Sequence, residues 1–163
     1  MIRMDEIETT LHSDEWYTLP EIIHKLGPFD LDPCSPINRP WDTAKKHFTI
    51  NDNGLLQTWE GFVWCNPPYG RQTEYWTRRC AIHNNGILLL SVTSKVGASW
   101  FFDYVWNAAH SILFLRGRIK FHREDGSVSR SPLNPSFLIA YGAEAGERLL
   151  KYSIFSKGKY IKL

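Results

Sequence analysis

Short apolar runs that alternate with helix-like stretches constrain the fold of this chain more than any other feature. The clearest run is residues 87–92, which hold no charged side chain, as is typical of a strand covered on both faces. We predict strands at residues 29–32, 62–65, 87–92, 111–115 and 137–141, and helices at residues 20–26, 73–84, 98–109 and 144–151. This alternation predicts an α/β fold with a largely parallel, doubly wound sheet.

Turn-forming residues mark the predicted boundaries. Pro20 suits a first helical turn, and Asn85-Gly86 is a fitting stop for the second helix. Asp125-Gly126 predicts a projecting hairpin or loop, and the last ten residues are expected to form a strand or a tail. Since we find no repeat and no dividing linker, residues 1–163 are expected to form a single domain.

Composition argues against several classes of protein. No apolar run approaches the roughly 18 residues of a membrane span, and the polar, acidic N-terminus is unlike a signal peptide. The three cysteines, Cys34, Cys65 and Cys80, form no CxxC pair, which indicates reduced thiols in a cytosol. Histidines and cysteines lack the spacing of metal ligands, so no metal is expected. The net charge of +2 does not by itself indicate a nucleic-acid partner.

The stretch Asn66-Pro67-Pro68-Tyr69 directly follows a predicted strand. Ligands bind beyond the carboxyl ends of parallel strands, and two prolines make a loop there stiff. Such a loop can aim the Asn66 amide oxygen and the Pro67 carbonyl at one exocyclic NH₂ group, while Tyr69 lies against the ring that carries it. Taken alone, the four residues are explained equally well by a strand that ends in a stiff turn with a surface tyrosine.

Several ordered pieces of the sequence resemble the small phage-type DNA N6-adenine methyltransferases, which use S-adenosylmethionine. Asn-Pro-Pro-Tyr is the signature of a wider group of amino-methyltransferases, and protein glutamine and RNA methylases share it. The ordered set is more specific, and the resemblance covers roughly residues 14–142. The other pieces are residues 14–20, residues 29–35, residues 52–55 followed by Trp59, residues 117–121 and residues 135–138.

The resemblance implies a Rossmann-like S-adenosylmethionine-dependent fold, reduced in size, with a mostly parallel central sheet. It implies a flipped adenine whose N6 is methylated by direct in-line displacement. The catalytic residues that it implies are Asn66, Pro67, Pro68 and Tyr69. The cofactor-binding residues that it implies are Trp16, Thr18, Asp32, Pro33, Cys34, Asp52 and Asn66.

Three of these residues also have an ordinary structural interpretation. Asp32 can be a helix cap or a surface acid, and Thr18 can be the N-cap of the helix that begins at Pro20. Asp52 belongs to an Asn-Asp-Asn-Gly turn and can simply stabilise it. For each residue both interpretations stay open on the sequence alone.

DNA is the expected partner, in the cytoplasm of a bacterial host if the chain is encoded by a phage or prophage. Phosphate and groove contacts are expected from Arg71, Lys95, Arg118, Lys120, Arg123 and Arg130. The alternatives are a methylase of RNA adenine or protein glutamine, and a non-catalytic DNA-binding or cofactor-binding domain on the same fold. The sequence leaves the oligomeric state open.

Overall fold

A seven-stranded mixed sheet with helices on both faces forms the framework of the protein. The structure, a computed structural model, describes residue 18 and residues 20–91, 95–119, 127 and 135–163. The helices are α1 (Pro20–Leu26), α2 (Thr73–His83), α3 (Ser99–Phe101), which continues as a π-helical turn (Phe102–Trp106), and α4 (Ala143–Ser156). The strands are β1 (Leu31–Asp32), β2 (Lys46–His47), β3 (Val63–Cys65), β4 (Gly86–Ser91), β5 (Ser111–Phe114), β6 (Ser136–Tyr141) and β7 (Lys159–Lys162).

The strand order is β2-β1-β3-β4-β6-β5-β7. β1 pairs in parallel with β2 and β3, and β3 pairs in parallel with β4. β6 lies between β4 and β5 and is antiparallel to both, so β1 to β5 all point the same way. β7 runs antiparallel to β5. The carboxyl ends of five strands therefore meet at one edge of the sheet.

The expectation of a largely parallel sheet is wrong, although the α/β class is confirmed. Three of the six strand pairings are antiparallel, and they include the longest ladder, between β4 and β6. The physical reason is that β6, which follows β5 along the chain, inserts between β4 and β5. There all six of its residues pair with β4, four of them also pair with β5, and the strand is buried throughout.

Helices cover the two faces of the sheet and create two apolar layers. Alternate residues of a strand point to opposite faces, so Trp64 and Leu89 lie in one layer while Cys65 and Leu90 lie in the other. The first layer is completed by α1 and α4, and the second by α2, α3 and the π-helical turn. Both faces of β4 are covered, which explains its continuous apolar sequence.

The prediction of one helix at residues 98–109 is wrong, because only the three residues of α3 are α-helical and the five residues after them form the π-helical turn. The stop predicted at Asn85-Gly86 is also misplaced. Asn84 ends α2 in the left-handed conformation (φ 52°), and Gly86 is the first residue of β4. A Cβ on Gly86 would lie 2.4 Å from Val63 O, so close strand packing requires this glycine.

Other boundaries differ in extent. The candidate at residues 144–151 is α4, which continues to Ser156, and the last residues form the strand β7. β2 was not predicted, because its two residues, Lys46 and His47, form no apolar run. The predicted hairpin at Asp125-Gly126 lies outside the described residues. No described helix is long and apolar enough to cross a membrane.

Arg148 links α4 to the end of α1. Its Nη1 donates to Leu26 O at 3.0 Å and Pro28 O at 2.9 Å, and its Nη2 contacts the Glu144 carboxylate. The guanidinium also lies 4.1 Å from the centre of the Phe62 ring. One side chain therefore satisfies carbonyls at a helix end and packs on the core.

We expect Arg148→Ala to lower the free energy of unfolding by about 2 kcal/mol, because both carbonyls lose a charged donor. Urea denaturation measures this change. Lys151→Ala, an exposed change on the same helix, is the control and should shift the value by less than about 0.5 kcal/mol. Equal stability of the two variants would contradict the assigned role of Arg148.

Candidate active site

A cavity of ≈ 490 Å³ opens at the edge where β1 and β3 end. From β1 the chain passes to β2 on one side and later returns to β3 on the other, so the strand order reverses there. Such a reversal leaves a crevice beyond the strand ends, which is the usual ligand position in open α/β sheets. The segments that line it follow β1, β2 and β3, together with Thr18 and the start of α2.

Most of the predicted catalytic and cofactor-binding residues line this cavity. They are Thr18, Asp32, Pro33, Cys34, Asn66, Pro67, Pro68 and Tyr69. Two of the pieces of sequence that carried the resemblance, around Asp32 and around Asn66, thus come together although they lie more than thirty residues apart. Their spatial proximity is a property of the fold that neither piece specifies alone.

Asp52 does not line the cavity. Its carboxylate accepts hydrogen bonds from Thr49 N at 2.7 Å and Thr49 Oγ1 at 2.9 Å, and these bonds lower its pKa. This is the turn-stabilising arrangement that its sequence context also allowed. Its neighbours Thr49 and Asn53 do line the cavity. Trp16, the remaining predicted cofactor contact, lies outside the described residues.

Asp32 is the buried charge of the site, with only 3% of its surface exposed. Its carboxylate accepts from Cys34 N at 3.2 Å and from Thr43 Oγ1 at 2.5 Å. Burial raises the pKa of Asp32 to about 6, against the opposing effects of Thr43, the Cys34 N–H and the Arg39 charge. Ionised at neutral pH and poorly hydrated, this carboxylate favours a cationic ligand group.

His47 fixes the turn that presents Thr43 to Asp32. Its Nε2 lies 3.2 Å from Thr43 N and 3.3 Å from Ala44 N, and both backbone groups donate to it. Nε2 must therefore be unprotonated. Burial, and then the Arg39 charge, lower the pKa of His47, which keeps the ring neutral and the turn in place.

The loop after β3 is shaped by contacts at both ends. Asn66 Nδ2 lies 3.4 Å from Thr18 Oγ1, which assigns the amide nitrogen to the Thr18 side. Pro68 O accepts from Thr73 Oγ1 at 3.4 Å, so the first residue of α2 binds this carbonyl. Within the described part of the chain no group donates to Pro67 O. Tyr69 is 45% exposed and lines the cavity.

Sequence reasoning missed the wall formed by residues 39–43. Arg39, Trp41 and Thr43 line the cavity, and Trp41 Nε1 donates to Thr18 O at 3.1 Å. None of the three belongs to a recognisable motif. The only available signal was their place in the connection from β1 to β2, which follows the carboxyl end of β1.

Gly54 brings the segment after β2 against the segment after β1. A Cβ at this position would lie 1.8 Å from Pro33 O and 3.3 Å from the Trp76 ring, so only glycine fits. Trp59 Nε1 donates to Gly54 O at 2.8 Å and holds the glycine there. Because of this contact, Thr49 and Leu55 line the same cavity as Asp32.

The three cysteines lie at the cavity wall, where Cys34 lines the cavity, and in the core, where Cys65 and Cys80 are buried. Cys34 Sγ lies 3.7 Å from Cys65 Sγ, and all three cysteines are free. Burial raises the pKa of the Cys34 thiol and raises that of Cys65 well above its ordinary value. Neutral thiols are poor nucleophiles, so these thiols contribute packing rather than covalent chemistry.

Three of the predicted DNA contacts lie at the same edge of the sheet as the cavity. Arg71, Lys95 and Arg118 follow β3, β4 and β5 respectively, and all three are exposed. Because those strands point the same way, their following segments share the edge at which the cavity opens. Lys120, Arg123 and Arg130 lie outside the described residues.

A family model described as DNA N-6-adenine-methyltransferase (Dam) matches residues 8–152, which is most of the chain. No curated protein matches, and no solved structure matches.

We expect Asp32→Asn to be more stable than the wild type by an amount that grows between about pH 4 and pH 7. The folded pKa of about 6 exceeds the roughly 3.9 of an unfolded chain, so folded wild type binds more protons in this window. The contribution of the Asp32 carboxyl group to the free energy of unfolding is complete below about pH 4. It is lost as the pH rises through 6, and the total loss is about 3 kcal/mol. Urea denaturation of both proteins at several pH values tests this, and a pH-independent difference would refute it.

We expect Gly54→Ala to lower the free energy of unfolding by about 1–3 kcal/mol, because the added methyl group must displace the Pro33 backbone. Gly97→Ala is the matched control, since a Cβ there meets nothing within 4 Å. Thermal or urea unfolding measures both. If the two variants lose the same stability, the close approach of Gly54 to Pro33 is not the constraint that we infer.

Proposed function

Because the chain belongs to the DNA N-6-adenine-methyltransferase (Dam) family, we propose that it transfers a methyl group from S-adenosylmethionine to N6 of adenine in DNA. The observation that carries the proposal is the meeting of Asp32 and the Asn66-Pro67-Pro68-Tyr69 loop in one cavity. The mixed α/β sheet is consistent with a methyltransferase-like fold.

The lining residues fit S-adenosylmethionine. A volume of ≈ 490 Å³ is ordinary for a site that encloses a small ligand. The buried Asp32 carboxylate suits the ligand's ammonium group, and Ile50, Leu55 and Trp76 provide apolar surface for a nucleoside. A glycine-rich phosphate loop is absent after β1, where Pro33 and Cys34 stand, and S-adenosylmethionine has no pyrophosphate that would need one.

In the proposed reaction the sulfonium of S-adenosylmethionine supplies an electrophilic methyl group. Asn66 Oδ1 and Pro67 O each accept one N–H of the target amine, which turns the nitrogen lone pair out of conjugation with the ring. Pro67 O suits this role, because no described group donates to it. Both acceptors belong to one stiff loop and need little rearrangement when the base enters.

Tyr69 stacks on the target base in this proposal. Its exposed ring surface beside Pro67 and Pro68 provides a flat apolar face at the cavity. An adenine within a duplex cannot reach the cavity, so the base must leave the helix. The main contribution of the protein is then to position the amine and to stabilise its developing charge.

The exposed cations at the cavity edge support DNA as the substrate. Arg71, Lys95 and Arg118 lie where a duplex would rest while a flipped base enters. We extend this surface to Lys120, Arg123 and Arg130 as a proposal from the sequence. Asp52 and Trp16 keep their proposed cofactor roles, and for Asp52 that role requires a change from its contact with Thr49.

We expect Asn66→Ala to lower kcat by about 10² or more while the affinity for S-adenosylmethionine changes little, because the amide acts on the target nitrogen. Transfer of labelled methyl groups to unmethylated DNA, RNA and protein measures turnover, and nucleoside analysis identifies the modified base. Asn107→Ala, an exposed change, is the control with unchanged turnover.

Three results would contradict the proposal. Label in RNA, in protein glutamine or in cytosine, with none in DNA adenine, would exclude the substrate. Near-normal turnover by Asn66→Ala would exclude the role of the amide. Binding of S-adenosylmethionine without transfer to any of these substrates would favour a non-catalytic domain.

A further inference from the structure

The cavity holds one acidic and one basic side chain. Among its lining residues, as far as the structure describes them, only Asp32 and Arg39 are charged. The remaining polar groups are hydroxyls, amides and a thiol, and much of the wall is apolar. A cavity with one charge of each sign is complementary to a ligand end that carries both charges.

Arg39 is held by one edge of its guanidinium. Its Nε donates to Asp42 Oδ1 at 2.9 Å, and 30% of its side chain is exposed, compared with 74% for Asp42. Neither Nη group has a hydrogen-bond partner among the residues that the structure describes. The Asp42 contact therefore fixes the side chain at the cavity and leaves the Nη groups available to an anionic ligand.

The segment that carries Arg39 also touches the two other polar groups at this end of the cavity. Trp41 Nε1 donates to Thr18 O, and Thr43 Oγ1 donates to the Asp32 carboxylate. Arg39, Thr18 and Asp32 are thus connected through five consecutive residues, 39–43. The Arg39 charge opposes the rise in the pKa of Asp32 that burial causes, which indicates that the two opposite charges interact.

We propose that Arg39 binds the α-carboxylate of the methionine part of S-adenosylmethionine while Asp32 binds its α-ammonium group. This inference rests on the proposed function. An α-amino acid carries its ammonium and carboxylate groups on the same carbon atom, and Asp32 and Arg39 offer each group a charge of opposite sign. A guanidinium binds a carboxylate through paired N–H donors, so the contact fixes orientation as well as charge. The Thr18 hydroxyl adds a neutral donor beside it.

An arginine at a cavity edge also suits a phosphate of bound DNA, and the same contact can serve either anion. The methionine carboxylate is favoured because Arg39 lies on the segment that holds Thr18 and Asp32. The predicted phosphate contacts Arg71, Lys95 and Arg118 lie on segments that follow other strands. The two ligands are separated by an experiment that removes the carboxylate from the nucleoside.

The test compares two ligands by isothermal titration: S-adenosylhomocysteine, and its decarboxylated analogue, which keeps the amine and the nucleoside. Arg39→Gln should weaken binding of S-adenosylhomocysteine by about 10- to 100-fold, as expected for a lost charged pair. Binding of the decarboxylated analogue should change by less than about threefold. Arg39→Lys keeps the charge without the fork and should give an intermediate loss. Arg78→Gln, an exposed change on α2, should affect neither ligand.

Each other outcome overturns the assignment. An equal loss for both ligands would show that Arg39 supports the cavity only structurally. Unchanged binding of both ligands, with weaker DNA binding and a smaller salt dependence, would assign Arg39 to a phosphate. If the wild type binds neither ligand, the proposed function fails together with this inference. If the wild type binds both ligands and Arg39→Gln leaves the ratio of the two affinities unchanged, the proposed function stands and only the role of Arg39 fails.

Discussion

The burial of one carboxylate organises this end of the molecule. Asp32 ends β1 inside the protein, where its charge is poorly hydrated and its pKa is raised to about 6. The protein compensates with Thr43 Oγ1 and Cys34 N, and His47 in turn holds the Thr43 turn. These contacts order the connection from β1 to β2, so the part of the cavity wall that this connection forms depends on Asp32.

The strand order determines which segments can share that cavity. Five strands point the same way although β6 is inserted antiparallel among them, so the segments after β1, β2, β3, β4 and β5 meet at one edge. Residues that are distant in sequence, such as Asp32 and Asn66, thereby become neighbours. The same arrangement places the exposed cations Arg71, Lys95 and Arg118 at the mouth of the site rather than on the opposite edge.

Local signals in the sequence predicted what local physics determines. Pro20 begins α1, and the apolar run at residues 87–92 overlaps β4 from residue 87 to residue 91, because these features reflect backbone preference and burial. The sequence did not reveal the insertion of β6 between β4 and β5, which is a non-local choice of partner. Arg39 and Thr43 escaped prediction for the same reason: only the contacts of their segment with Thr18 and Asp32 give them a place in the site.

The two outer strands of the sheet differ from the inner ones in a way that affects how molecules meet each other. β2 has only two residues and β7 four, and lysines stand at Lys46, Lys159 and Lys162. Without β7, the buried residues Ile112 and Leu113 of β5 would lie in an edge strand with open backbone groups. Short, charged outer strands are poor templates for strand addition, so this apolar sheet is protected from joining edge to edge with another sheet and aggregating.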